Sequence, residues 1–168
     1  MVGMRKRAAG IAVCLLLLPG MEAQRSGSTT LVLQVSPEAR VEPAAASLRF
    51  EVSAAGSSAQ AATVTAWVRA AAGVPIRLQA RLTGLTGPDG TVAGSALAWS
   101  GAAGQATGGG RQANCIGGNF ANAGAQDLVQ GWTQSGMLQC AVTLQLVQSG
   151  TLAPGLYTGT VEFSAAGN

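Results

Sequence analysis

Leu138-Gln139-Cys140-Ala141-Val142-Thr143-Leu144-Gln145-Leu146 alternates strictly between apolar and polar or small side chains. A period of two puts Leu138, Cys140, Val142, Leu144 and Leu146 on one face, with Gln139, Thr143 and Gln145 on the other. A helix would scatter the same residues around its whole circumference. The segment therefore reads as a half-buried strand. Val74-Pro75-Ile76-Arg77-Leu78-Gln79-Ala80-Arg81-Leu82 repeats the pattern, with Arg77, Gln79 and Arg81 turned to water. So do Thr63-Val64-Thr65-Ala66-Trp67-Val68-Arg69 and Tyr157-Thr158-Gly159-Thr160-Val161-Glu162-Phe163. Leu48–Val52 and Leu31–Val35 add two more strands, and Ala96–Trp99 a shorter one.

Turn chemistry separates these runs. In Gly87-Pro88-Asp89-Gly90 the proline presets φ and the glycine permits positive φ. Gln148–Gly150 and Ala153–Gly155 bracket the last connection. Arg69 to Gly73 reads as a hairpin loop joining the strand through Val68 to the one beginning at Val74, which would set Trp67 beside Pro75 and Arg77. No segment has helical periodicity. Seven to nine short strands with regular turn signals predict an all-β fold: a single Ig-like antiparallel β-sandwich, with a small barrel as the alternative.

Residues 101–136 break the pattern. They hold ten glycines and only two charges, Arg111 and Asp127. The backbone entropy of glycine resists regular structure. This stretch is expected to be an irregular insertion with short strands near 112–116 and 128–133.

The chain opens with Arg5-Lys6-Arg7, then the apolar run Ala8–Leu18, then Pro19-Gly20 and Ala23. A basic start, a short apolar core and a small terminal residue describe a secretory signal peptide spanning residues 1–23. Its apolar run is too short to cross a bilayer comfortably, and no later stretch is long enough, so the mature form is not expected to span a membrane. Residues 24–168 are then the sandwich domain. They carry seven arginines and six acids, a net charge of +1, which gives no electrostatic case for nucleic acid. The expected location is secreted or extracytoplasmic, in the periplasm or at the cell surface. Two cysteines remain, Cys115 and Cys140. An even number in an exported chain predicts a disulfide between them.

Composition excludes most catalysis. The chain has no His, and its sole lysine is Lys6 in the leader. Ser-His, Cys-His and Ser-Lys pairs, Schiff-base lysines and imidazole metal sites are thereby removed. The mature carboxylates, Glu38, Glu42, Glu51, Asp89, Asp127 and Glu162, show no spacing that aims two of them into one cleft. No catalytic, cofactor-binding or metal-ligating residue is assigned and no cofactor is expected. A small secreted hydrolase is disfavoured.

The candidate binding residues are aromatic. Trp67 lies out of phase with Val64, Ala66 and Val68, so it leaves their face. There it can stack on a sugar or anchor a partner, although burial under another segment is the expected outcome for so large a side chain. Trp99 and Trp132 border the glycine-rich stretch; they either line a surface with Trp67 or plug the sandwich end. The expected partners are glycans at these aromatics, or other copies of the chain or a surface protein through an edge strand, with the segment 26–43 as a strand that could be donated.

Ala46-Ser47-Leu48-Arg49-Phe50-Glu51-Val52 with Gln60–Thr65 resembles the opening of bacterial exported Ig-like modules, including the BACON-like group. Leu152-Ala153-Pro154-Gly155-Leu156-Tyr157-Thr158-Gly159-Thr160-Val161 resembles their closing strand, which is also similar to that of spore-coat-U-like, pilin-type sandwiches. The resemblance covers the two ends and implies an Ig-like sandwich living outside the cytoplasm. It carries over no functional residue. The reading is a non-enzymatic exported protein of cell-surface structure or adhesion, in the manner of a pilin-like subunit, with a carbohydrate-binding module as the alternative.

Overall fold

The computed structural model describes residues 37–54, 56–122, 124–147 and 151–167. The leader and the strand expected at Leu31–Val35 lie outside the described residues. Seven strands of five residues or more build the molecule: β1 (Glu38–Glu42), β2 (Ala45–Ser53), β4 (Ala59–Arg69), β5 (Ile76–Gly87), β7 (Leu97–Gly108), β12 (Gly136–Leu146) and β13 (Gly155–Gly167). Two-residue strands complete it: β3 (Gly56–Ser57), β6 (Gly90–Thr91), β8 (Asn114–Cys115), β9 (Gly118–Asn119), β10 (Gln126–Asp127) and β11 (Val129–Gln130). One sheet has the order β1-β4-β12-β7-β9 and the other β10-β5-β13-β2-β3, with β6 also on β5 and β11 paired with β8 as a small third sheet. Every pairing is antiparallel. The fold is an all-β two-sheet sandwich.

The alternation read from sequence is what fills the space between the sheets. Val64, Ala66 and Val68 of β4, Leu138 to Leu146 at even positions of β12, and Leu97 and Trp99 of β7 are buried. They face Leu48, Phe50 and Val52 of β2, Ile76, Leu78 and Ala80 of β5, and Tyr157, Val161 and Phe163 of β13. On β5 the buried positions change from even to odd, because Leu85 rather than Gly84 faces inward. The cause is a bulge: Thr158 pairs Thr86 but Thr160 pairs Thr83, so β5 carries one residue more than β13. Gly84, at φ +60°, takes the left-handed conformation such a bulge needs.

Three expectations are corrected. First, β4 and β5 are not a hairpin. β4 pairs with β1 and β12, and β5 with β13 and β10. The link between them crosses from one sheet to the other, held by Gly73 N–H to Thr133 O (3.2 Å) and Ile76 N–H to Trp132 O (2.8 Å). Two strands that share a buried face satisfy it equally well side by side or across the core, and local alternation does not distinguish these. Second, the two strands of cleanest alternation, Val74–Leu82 and Leu138–Leu146, are expected to be central; β12 is, but β5 lies next to an edge, flanked on its outer side among the described residues by the short β6 and β10. Third, Gly101–Gly108 is strand, the greater part of β7, paired with β12 as far as Gly136 around one bulge opposite Leu138–Cys140. Ladder hydrogen bonds and close packing outweigh the entropy of its glycines. A Cβ on Gly101 would stand 2.7 Å from the carbonyl oxygen of Ile116, so the small residue is what lets the following segment lie against the strand.

Candidate contact surface

From Gly109 onward the glycine-rich stretch is irregular, as expected, with β8 and β11 where short strands were anticipated. Its path has a definite logic. β9 adds to the outer edge of β7, pairing Asn119 with Ala98 and Gly118 with Trp99. β10 adds to the outer edge of β5, pairing Gln126 with Ala80 and Asp127 with Gln79. The segment thus bridges the open sides of both sheets and seals the core between them. Phe120, Leu128, Val129 and Trp132 go inward and are buried. Cys115 is disulfide-bonded to Cys140, with Cα atoms 5.9 Å apart, which ties the bridge to the central strand. Constraining a loop of this length contributes roughly 3 kcal/mol in the chain-entropy picture.

The three tryptophans have different fates. Trp99 and Trp132 are core residues, 5% and 1% exposed. Each buried indole N–H is satisfied, Trp99 Nε1 donating to Ile116 O (3.0 Å) and Trp132 Nε1 to Gln134 O (2.8 Å). Trp99 also lies against Phe120, ring centroids 4.6 Å apart. Neither shares a surface with Trp67. Trp67 is 40% exposed among the described residues, so the expected covering is not what they show. Its neighbours also differ from expectation. With β4 and β5 in separate sheets, Pro75 and Arg77 are not beside it; Arg40 of β1 and Met137 of β12 are its cross-strand partners.

Around Trp67 the outer face carries a small polar array. The Arg40 guanidinium sits 5.6 Å from the indole centroid, an exposed cation–π contact worth roughly 0.5–1 kcal/mol. Arg40 also bridges Glu42 on the same strand, with both side chains more than half exposed, so the pair adds little. Glu38 stands opposite Arg69. Glu38, Arg40, Trp67, Arg69 and Ser135 surround a shallow depression of about 480 Å³. The Ser135 hydroxyl is committed to the backbone of Ala70, accepting from its N–H (3.0 Å) and donating to its C=O (2.9 Å). The depression therefore offers one aromatic face flanked by two guanidiniums and a carboxylate. A second depression, near Asp89, Thr91 and Leu152, is bordered by Tyr157, whose hydroxyl is already given to Ala153 O (2.7 Å).

Strand β1, and with it Arg40, was read from sequence only as part of the segment 26–43 and not as a strand of its own. The signal was present in Glu38-Ala39-Arg40-Val41-Glu42, where Ala39 and Val41 alternate with charges. Asp127 accepts a hydrogen bond from Gln79 Nε2 (2.8 Å), which gives it a structural role. No helix of the described residues is long and apolar enough to cross a membrane. No protein-family model, curated protein or solved structure matches this chain.

Proposed function

We propose that this is a non-enzymatic exported protein of cell-surface structure or adhesion, acting as a pilin-like subunit with an Ig-like sandwich. The observation that carries the reading is the strand order. In an Ig-type sandwich, strands A, B, E and D form one sheet and C, F and G the other. With β1 as A, β4 as B, β5 as C, β7 as D, β12 as E and β13 as F, the orders β1-β4-β12-β7 and β5-β13-β2 fit that scheme. The place of G beside β13 is taken by β2, from the N-terminal end. Tyr157, near the start of β13 and bonded to a carbonyl four residues upstream, is where strand F carries its tyrosine corner. Strand exchange between copies adds an extended, alternating segment to a sheet edge through main-chain hydrogen bonds. The alternating Leu31–Val35 run is the segment such exchange would draw on. The leader and the disulfide support export.

The test is assembly of the mature protein, followed by size-exclusion chromatography and electron microscopy. Multimers or filaments lost on Leu31→Glu/Leu33→Glu support the reading. A protein monomeric at every concentration sinks it.

The exposed Trp67 favours a second reading, a carbohydrate-binding module, in which the indole stacks on a sugar and Arg40, Arg69 and Glu38 supply hydrogen bonds. A monomer whose tryptophan fluorescence responds to glycans, and stops responding in Trp67→Ala, would put this reading first.

A further inference from the structure

The two outer faces of the sandwich differ in charge. The outer face of the sheet that holds β2, β13 and β5 exposes Arg49, Glu51, Glu162, Arg77 and Arg81. In the other sheet β7 and β12 contain no charged residue, and β4 has none before Arg69 at its end. Small hydroxyl, amide and methyl side chains fill its outward positions. Thr63, Ala141 and Ala102 stand side by side across the three strands, and Ala61, Thr143 and Ser100 form the next row. All six are exposed among the described residues. The hydroxyls of Thr63, Thr143 and Ser100 make no hydrogen bond to another group among those residues. In the opposite direction along β4, two rows beyond Thr63, the same face carries Trp67, 40% exposed.

This face is neutral, built of small side chains, and aromatic at one end. From Trp67 to Ala61 it is about 20 Å long at the rise of a strand, and the axes of its three strands span about 10 Å. It offers roughly 200–300 Å², against the roughly 800 Å² that each partner contributes to a stable protein pair. A folded partner or a second copy would have to reach past the neutral patch onto charged residues. A ligand one chain wide would not. The charges beside Trp67 select further. Arg40 and Arg69 are balanced by Glu38 and Glu42, so the tryptophan end exerts no net pull on an anion. Along the rest of the face no described side chain could neutralise one. An unpaired carboxylate buried there costs more than a hydroxyl that finds a hydrogen-bond partner. We infer that the outer face of β4, β12 and β7 binds an uncharged, extended polysaccharide chain. One sugar ring stacks on Trp67, and the chain runs along the strands over Thr63 and Thr143, whose hydroxyls donate to and accept from it.

This inference rests on the carbohydrate-binding reading of Trp67 and extends that site along the sheet. The test is isothermal titration of the mature full-length chain with neutral hexasaccharides of glucose, mannose, xylose and N-acetylglucosamine, with the matching disaccharides, and with hexagalacturonate. At least one neutral hexasaccharide should bind, its disaccharide should bind at least about tenfold more weakly, and hexagalacturonate should not compete. Thr63→Glu and Thr143→Glu each place a carboxylate on the open face without touching the core, and each should weaken the hexasaccharide by at least about tenfold. Ser164→Glu, at an exposed position of the opposite sheet, adds the same charge and should leave binding unchanged. Melting curves that match wild type show that all three variants fold. If Trp67→Ala abolishes binding while Thr63→Glu and Thr143→Glu do not, and the disaccharide binds as tightly as the hexasaccharide, the carbohydrate reading stands and the lengthwise site falls. Preference for hexagalacturonate overturns the neutral ligand. Multimers that Thr143→Glu dissolves, with no response to any glycan, would assign the face to a second copy and overturn the inference. Binding to no member of the panel overturns the inference and the carbohydrate reading together.

Discussion

Replacing Trp67 by alanine separates a surface contact residue from a structural one. The indole is 40% exposed, on the outer face of a sheet. What it would lose can be summed from its neighbours. Cross-strand packing against Met137 is worth roughly 0.2–1 kcal/mol, and the Arg40 cation–π contact roughly 0.5–1 kcal/mol. No cavity opens, because solvent already reaches the ring. Trp67→Ala should therefore cost about 1–2 kcal/mol. Trp132 is 1% exposed with its N–H bonded, and Trp132→Ala should cost about 3–5 kcal/mol. Urea denaturation followed by far-ultraviolet circular dichroism measures both. Iodide quenching supplies the independent readout: the quenchable part of the native emission should disappear in Trp67→Ala and persist in Trp132→Ala. Equal losses of stability, with quenching unchanged in Trp67→Ala, would refute the placement of Trp67 on an open face.

Leu78→Ala and Leu144→Ala should each cost about 2–5 kcal/mol, while Gln145→Ala, at an outward position, should stay within about 0.5 kcal/mol; equal losses in chemical denaturation would mean the inward and outward faces are misassigned. Gln79→Ala should cost more than Gln145→Ala, about 0.5–1.5 kcal/mol, since it loses the side-chain bond to Asp127 that supplements the backbone pairing of β10 with β5, and equal costs would show that bond to be inert. Gly101→Ala should destabilise by about 1–3 kcal/mol through overpacking, because its Cβ would press on the carbonyl of Ile116; a melting temperature unchanged from wild type would contradict the close approach.

The fold was legible because alternation is local. Val64, Ala66 and Val68, or Leu138 through Leu146, declare a buried face without reference to the rest of the chain. Which strands become neighbours is not local. The strands that Val68 ends and Val74 begins look like hairpin partners in sequence, yet β4 and β5 lie in opposite sheets. The glycine-rich stretch misled for a related reason. Gly101 and Gly118 are small because Ile116 and Trp99 lie against them, and a composition count sees only their entropy. The disulfide was legible from the cysteine number together with the expectation of export. Trp67 was placed correctly by phase, on the face away from Val64 and Val68. Its exposure was not legible, since that depends on what the neighbouring strands lay over it. Arg40 was out of reach because β1 is short, and because its place beside Trp67 comes from a pairing between strands about 25 residues apart in sequence.

Export and the closing of the sandwich by its cysteine-anchored bridge are tested together by one measurement: mass spectrometry of the non-reduced protein recovered from fractionated cells. The account predicts a chain beginning at Gln24, found outside the cytoplasm, that yields a single peptide pair joined through Cys115 and Cys140. A chain retaining residues 1–23 in the cytoplasm, with both cysteines open to alkylation, would contradict it.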